Sequence, residues 1–191
     1  MPSPKKTDVA GLISRITREL RSRRLTFMII GGQAVLLHGR PRATEDIDIV
    51  VGTDPSGLTN LLEACAVLDL VVLADDVESF VQRSFVLPVA DESTGIRVDF
   101  IFSSTRFEKE AIERVELVEL EGESVPFASV EDLIILKLIA GRAVDLQDAA
   151  AVVRRKGEEI DWPYVSDWVN RFAQIEGHEH LTERLRELRR A

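Results

Sequence analysis

The sequence contains a single cysteine, Cys65, among its 191 residues. One cysteine excludes an internal disulfide framework and any zinc site built from several cysteines. No stretch approaches the roughly 18 consecutive apolar residues of a transmembrane helix. The N-terminal residues also lead into no apolar core of the signal-peptide type. These absences predict a soluble, cytoplasmic protein without a membrane partner.

Basic residues are in the minority, with 24 lysines and arginines against 33 acidic residues and a formal net charge of -9. Such a surface repels phosphate backbones at long range, which argues against bulk non-specific binding to nucleic acid but allows local basic patches. Hydrophobic residues make up 45% and charged residues 30% of the chain, which is the balance of a folded protein. The length suits one domain, or a core with a helical appendage.

The hydrophobic pattern changes character near residue 125. Before that point helical and strand patterns alternate, which predicts an α/β core over residues 1–125. After it the pattern is helical, which predicts a segment over residues 126–191 that packs on the core. The predicted strands are 27–30, 46–51, 70–73, 84–89, 97–102 and 115–120. The predicted helices are 8–24, 33–38, one ending near 66, 130–141, 146–156, 162–173 and 179–190.

Two carboxylates share one face of the predicted strand 46–51. Side chains alternate along a strand, so Asp46 and Asp48 point to one side and Ile47 to the other. Like charges this close raise each other's pKa unless a cation lies between them, and Mg²⁺ is a hard cation that prefers oxygen ligands. A strand end whose acids point into solvent is an equal alternative for this pair alone.

A glycine pair, Gly31-Gly32, directly follows the predicted strand 27–30 and opens a helix. Glycine lets the backbone approach an anion, and a helix N-terminus supplies unpaired N–H donors, so the pair has the chemistry of a phosphate cradle. A tight turn that requires positive φ is the alternative. The chain between the glycine pair and Asp46 is long enough for one short helix. The groups that donate hydrogen bonds to phosphate and the groups that bind metal could therefore lie at one site.

Asp99 is the candidate for the third carboxylate that a two-metal phosphoryl-transfer site needs. It interrupts an apolar strand and shares a face with Arg97 and Ile101. Asp91 and Glu92 are acidic too, but they fall in a predicted turn, where solvated carboxylates are ordinary.

Lys137 is one of only five lysines, and it lies in a strongly apolar helix whose start carries a capping box of Ser129 and Asp132. Such an amine either extends its tip to solvent or meets an anion, and a triphosphate or a carboxylate cluster would serve. Asp145 is expected to cap the next helix and Asp148 to lie in its first turn, although either could neutralise Lys137.

The order of these elements resembles the signature of the minimal nucleotidyltransferases of the DNA polymerase beta superfamily. The resemblance is carried by Gly31-Gly32, by the stretch from Leu37 to Asp48 (LHGRPRATEDID), and by residues 129–142 and 145–148, within a span of residues 25–155. Among these enzymes, the sequence is most similar to the abortive-infection-type toxins of bacterial toxin–antitoxin pairs. Arg40 and Arg42, in the loop before the carboxylates, would hold phosphates or be simple surface charges.

The resemblance implies a nucleotidyltransferase fold, a mixed sheet flanked by helices with a C-terminal helical segment. It implies that Asp46, Asp48 and Asp99 are catalytic and bind two Mg²⁺ ions. The residues implied to bind the nucleotide are Gly31, Gly32, Arg42, Thr44 and Lys137. Gly32 replaces a residue that is often serine in the family, so one hydroxyl contact to phosphate is missing.

The implied reaction is transfer of a nucleoside monophosphate from a nucleoside triphosphate to an acceptor hydroxyl, with release of pyrophosphate. The resemblance allows a tRNA 3′ end, another RNA, a protein side chain or a small molecule such as an aminoglycoside as the acceptor. For a toxin it implies tRNA or another RNA as the acceptor and a cognate antitoxin protein as the partner. The alternative is a protein of this fold that binds a nucleotide or a partner without transfer. All three candidate carboxylates are present, which favours the enzyme.

Overall fold

The structure is a computed structural model that describes residues 8–39, 44 and 46–190. These residues form two compact units. The first contains the described residues up to Gln33 and those from Thr44 to Phe127, and the second contains residues 34–39 and 128–190. Among the described residues, no helix is both long and apolar enough to cross a membrane.

The first unit is built on one mixed sheet, which confirms the expected fold class. Its strands within the described residues are β1 (Phe27–Ile30), β2 (Ile47–Val51), β3 (Leu70–Val72), β4 (Val86–Asp91), β5 (Arg97–Phe102), β6 (Glu116–Leu120) and β7 (Glu123–Phe127). Their order across the sheet is β3-β4-β5-β2-β1-β7-β6. The pairs β2·β5 and β1·β7 are parallel and the other pairs are antiparallel.

The helices of the chain begin with α1 (Val9–Ser22), whose apolar face is buried and whose N-cap Asp8 accepts a hydrogen bond from Gly11 N. The others that lie wholly or partly in the first unit are α2 (Gly31–His38), α3 (Leu58–Val67), α4 (Val77–Ser84) and α5 (Arg106–Glu113). A complete capping box between Thr105 and Glu108 fixes the start of α5.

The two faces of the central strands differ in burial. Ile47, Ile49 and Val51 on β2, and Val98, Phe100 and Phe102 on β5, are fully buried and form the core under the sheet. The residues between them alternate to the other face, where Asp48, Asp99 and Ile101 are only half-buried. The sheet therefore presents its carboxylates on the open face.

The second unit is helical, as the sequence predicts for this part of the chain. Its remaining helices within the described residues are α6 (Val130–Ala140), α7 (Ala143–Lys156), α8 (Trp162–Phe172) and α9 (Leu181–Leu188). Helix α6 is apolar on nearly every side because it is the centre of this unit, and Leu133, Ile134 and Leu138 are buried. Trp168 on α8 is also buried.

Several boundaries differ from the sequence prediction. The strand predicted to start at Asp46 starts at Ile47, and the strand predicted over 84–89 is Val86–Asp91. Three elements were not predicted: the short amphipathic helices α4 and α5, and β7, whose sequence contains a proline. Helix α7 starts at Ala143 with Arg142 as its N-cap residue, so the expectation that Asp145 caps it is wrong.

Asp91 also differs from expectation. It is the last residue of β4 and is only 1% exposed, so it is not a solvated turn residue. Its carboxylate accepts hydrogen bonds from the Arg15 side chain at 2.6 Å and from Thr94 N at 2.8 Å. The Ser93 hydroxyl donates to it as well. Asp91 thereby ties the β4–β5 hairpin to α1.

Candidate active site

Asp48 and Asp99 are brought together by the pairing of two parallel strands. Asp48 on β2 is the register partner of Asp99 on β5, and Ile30 on β1 is opposite Asp48 on its other side. Register partners on neighbouring strands point to the same face and are separated by about 4.8 Å between strand axes. The sheet thus places these two predicted carboxylates side by side on its open face.

Asp46 lies just before β2 and is exposed. Its backbone carbonyl accepts a hydrogen bond from Gln33 Nε2 at 3.3 Å, and Gln33 Nε2 also lies 3.4 Å from the Thr44 carbonyl. Gln33 on α2 therefore holds the segment that leads into β2. Nothing in the sequence points to Gln33, because a single glutamine in a short helix carries no recognisable signal.

Arg97 supplies the positive charge that these carboxylates face. Its Nε donates a hydrogen bond to Asp99 Oδ1 at 3.0 Å. The pKa of Arg97 is raised, chiefly by this hydrogen bond and by the charge of Asp99, and further by the charges of Asp46 and Asp48. The charges of all three predicted catalytic carboxylates therefore raise the pKa of the same guanidinium group.

The three carboxylates could bind a divalent cation, because they offer oxygen ligands and share one positive partner, Arg97. Carboxylate oxygens are the ligands that Mg²⁺ prefers, and the Arg97 guanidinium already stands among them as a cation. In the part of the chain that the structure describes, no three His, Cys, Asp or Glu side chains are already gathered around one point as metal ligands. Metal binding would therefore require the side chains of Asp46, Asp48 and Asp99 to turn toward one another.

Gly31 opens α2 at a position where any side chain would be strained. Its φ is +63°, in the left-handed region, and a Cβ built on it would lie 1.8 Å from Asp48 Oδ2. Positive φ is what the tight-turn interpretation predicts, and the close approach to Asp48 is an additional finding. The backbone at the start of α2 thus lies directly against the carboxylate of Asp48.

Gly32 is buried against Thr44. A Cβ on Gly32 would lie 2.5 Å from Thr44 Oγ1, so the threonine hydroxyl fills the space beside this glycine. The structure thereby brings two predicted nucleotide-binding residues together. Arg42, which is also predicted to bind the nucleotide, lies outside the described residues, as does Arg40.

Lys137 forms a buried charge cluster within the second unit. Its Nζ donates to Asp145 Oδ1 at 2.8 Å and to Asp148 Oδ2 at 3.1 Å. Arg142 Nε donates to Asp145 Oδ2 at 2.6 Å. Burial acts to raise the pKa of Asp145, but the hydrogen bonds and charges of Arg142 and Lys137 outweigh it, and that pKa is lowered.

Lys137, Asp145 and Asp148 are each at most 6% exposed. The sequence predicts either a triphosphate or a carboxylate cluster as the anion beside Lys137, and the structure contains a carboxylate cluster. The expected neutralisation of Lys137 by Asp145 is confirmed. A contact between Lys137 and nucleotide phosphates stays a prediction.

The mixed sheet, its paired acids and the glycine-opened helix are the features of a nucleotidyltransferase. The chain belongs to a family described as a nucleotidyltransferase of unknown function (DUF6036), whose model matches residues 9–183. No curated protein matches the sequence. The expected assignment to the nucleotidyltransferases is thus confirmed, whereas the narrower assignment to toxins stays a prediction.

Solved structures support the same fold. The antibiotic-resistance factor ANT(2'')-Ia is 17% identical, with a TM-score of 0.61 over 90% of this chain and 96% of that protein. An antigenic nucleotidyltransferase-like protein from Paracoccidioides brasiliensis is 16% identical, with a TM-score of 0.57 over 93% and 91% of the two chains. The lincosamide adenylyltransferase LnuA, solved with lincomycin, is 16% identical, with a TM-score of 0.52 over 74% and 94%.

Proposed function

We propose that this protein transfers a nucleoside monophosphate from a nucleoside triphosphate to an acceptor hydroxyl in a Mg²⁺-dependent reaction. The observation that carries the proposal is the lateral pairing of Asp48 with Asp99 directly beside Gly31. This arrangement places metal-ligand chemistry next to the start of a helix, where backbone N–H groups attract phosphate.

The carboxylates have separate roles in this reaction. Asp46 and Asp48 would hold the metal ions together with Asp99. Bound Mg²⁺ would lower the pKa of the acceptor hydroxyl and neutralise charge on the triphosphate. Asp99 accepts a hydrogen bond from the acceptor hydroxyl and directs its oxygen toward the α-phosphorus. The acceptor hydroxyl gives its proton to Asp99 as its oxygen forms the new bond to the α-phosphorus in line, the bond from the α-phosphorus to the bridging oxygen breaks, and pyrophosphate leaves.

The nucleotide is held by the segment around α2. The backbone N–H groups of Gly31 and Gly32 contact the β- and γ-phosphates, and Thr44 supplies a hydroxyl beside them. Arg42 and Lys137 are proposed to contact phosphates as well, as the family resemblance implies. Thr44 takes the position beside Gly32 that a serine hydroxyl would otherwise fill.

The acceptor is proposed on two kinds of similarity. Resemblance of the sequence motifs to toxins of toxin–antitoxin pairs supports tRNA or another RNA, with an antitoxin as protein partner. Similarity of fold to ANT(2'')-Ia, which has also been solved with adenylyl-2"-tobramycin, supports a small hydroxyl-bearing molecule. Both acceptors present a hydroxyl to Asp99, so the chemistry is the same.

The test begins with calorimetric titration of each nucleoside triphosphate in the presence of Mg²⁺. Wild type is compared with Asp48→Asn and Asp99→Asn, and Asp75→Asn, an exposed residue of the same unit, is the matched control. We expect binding that needs metal and that the two site variants lose. Labelled triphosphate is then supplied with total RNA or with small-molecule acceptors. Nucleotide binding without transfer to any acceptor would favour the non-catalytic alternative.

A further inference from the structure

Arg97 occupies a specific place relative to the three carboxylates. It is the first residue of β5 and lies two residues before Asp99, on the same face of the strand. The parallel pairing of β2 with β5 begins with Ile47 opposite Val98. Asp46, which lies just before β2, and Arg97, the first residue of β5, each stand one position before this pair. They are therefore neighbours across the two strands.

The ion pair of Arg97 with Asp99 contributes little to the stability of the fold. The Arg97 side chain is 52% exposed, whereas that of Asp99 is 23% exposed. Ion pairs this exposed gain little because solvent screens their charges. Its main consequence is local, because it restrains the Asp99 carboxylate and offsets part of the negative charge that Asp46, Asp48 and Asp99 share.

A guanidinium and a divalent cation cannot both be close to these carboxylates without repelling each other. The hydrogen bond from Arg97 uses Asp99 Oδ1, an oxygen that a metal ion would need. The planar guanidinium orients the carboxylate as well as neutralising it. A lysine at the same position would keep the charge and lose that planar geometry.

We propose that Arg97 is a positioning residue that serves as the internal counter-cation of the metal-free site and must release Asp99 before a divalent cation can bind. The proposal rests on the proposed function, because it takes Asp48 and Asp99 as metal ligands. It predicts that Arg97 weakens the binding of free metal ions by the protein. In the metal-free site, Arg97 holds the Asp99 carboxylate in place.

The direct test is a titration of Mn²⁺ followed by electron paramagnetic resonance, without nucleotide, so that transfer activity is not needed. Arg97→Gln removes the charge, Arg97→Lys keeps it, and Arg106→Gln removes a 77% exposed arginine elsewhere in the same unit. We expect Arg97→Gln to bind Mn²⁺ about tenfold more tightly than wild type, because a neighbouring positive charge is gone. Arg97→Lys and Arg106→Gln should stay within about threefold of wild type.

The location of the bound ion is checked by adding Asp48→Asn to Arg97→Gln, which should abolish the gain. Circular dichroism confirms that each variant is folded. The proposal is overturned if folded Arg97→Gln binds Mn²⁺ no more tightly than wild type. It is also overturned if neither protein binds Mn²⁺, or if the gain survives Asp48→Asn.

Transfer kinetics separate this proposal from the proposed function. With an acceptor in hand, Arg97→Gln should reach half-maximal transfer activity at a lower metal concentration than wild type, and Arg97→Lys should behave like wild type. A wild type that binds Mn²⁺ at Asp48 but transfers no nucleotide contradicts the function alone. A wild type that transfers, and whose Mn²⁺ affinity Arg97→Gln leaves unchanged, contradicts the role of Arg97 alone.

Discussion

Asp48 and Asp99 are register partners on adjacent parallel strands, and the backbone of Gly31 lies against Asp48. The first relationship joins two acids that are far apart in the chain. The second explains why the helix after β1 must begin with glycine. Together they bring the start of α2, which we propose to bind phosphate, next to the acids of β2 and β5 that we propose to bind metal.

Gly31→Ala should abolish binding of metal and nucleotide while reducing stability moderately. The substitution strains a positive φ, at a cost of about 1–3 kcal/mol, and it also displaces the Asp48 carboxylate. Gly95→Ala is the matched control, because Gly95 has φ +74° and no atom within 4 Å of a built Cβ. Both variants should lose stability in urea titrations, and only Gly31→Ala should lose nucleotide binding in calorimetry. Equal nucleotide affinity in the two variants would show that Gly31 has no role at the site.

A serine introduced at position 32 should be able to replace Thr44 as the source of one hydroxyl that contacts the triphosphate. Thr44→Val should weaken triphosphate binding by about tenfold, as expected for a lost hydrogen bond to a charged group. Gly32→Ser alone should not strengthen binding, because the new Cβ would meet Thr44 Oγ1. Gly32→Ser combined with Thr44→Gly removes the threonine side-chain atoms that the new Cβ would meet, and should recover most of the affinity in calorimetry. Failure of this pair to exceed Thr44→Val would exclude a shared hydroxyl position.

Lys137→Met should strongly destabilise the second unit. It leaves Asp145 and Asp148 buried without their shared ammonium, although Arg142 still contacts Asp145. Breaking a buried pair by removing one partner costs about 3–5 kcal/mol. Lys156→Met is the control, because Lys156 forms only a surface pair with Glu159 at 3.6 Å. Urea unfolding measures both, and a loss below about 1 kcal/mol for Lys137→Met would contradict a structural role for the cluster.

Asp91 should contribute to a loss of stability in acid. Burial acts to raise the pKa of Asp91, but hydrogen bonds from Ser93, Thr94 and Arg15 outweigh it and hold that pKa well below its usual range. A carboxyl group with a lowered pKa stabilises the fold above its unfolded pKa near 3.8, and the contribution is lost as pH falls through the lower folded value. Asp91→Asn should therefore be less stable at neutral pH and show a weaker decline below about pH 4.

Thermal unfolding of Asp91→Asn and wild type across this pH range makes that comparison. Asp75→Asn, exposed in the same unit, should follow the wild-type curve. A parallel decline of Asp91→Asn and wild type in acid would show that another group dominates.

The sequence singles out residues that the fold brings together, but it predicts the elements around them less well. Asp48 and Asp99 stand out because each interrupts an apolar strand, and Gly31 because it follows one. Asp91 was misread, since its burial depends on Arg15 in α1, a partner that no local pattern reveals. The sequence places Arg97 on the face of Asp99, but the effect of Asp46 and Asp48 on Arg97 depends on the pairing of β5 with β2, which no local pattern reveals.

The short elements were missed for a related reason. Helix α4 has eight residues with one buried side chain, Val81, so its periodicity is too short to recognise. Strand β7 contains Pro126 and polar residues at its start, which is typical of a turn. It is a strand because β1 and β6 pair with it on either side.

The most direct test of the central claim is calorimetric titration of a nucleoside triphosphate and Mg²⁺ into wild type, Asp48→Asn and Asp75→Asn. The account predicts metal-dependent binding by wild type and Asp75→Asn, and none by folded Asp48→Asn. Equal binding by Asp48→Asn, or no nucleotide binding by folded wild type, would contradict it.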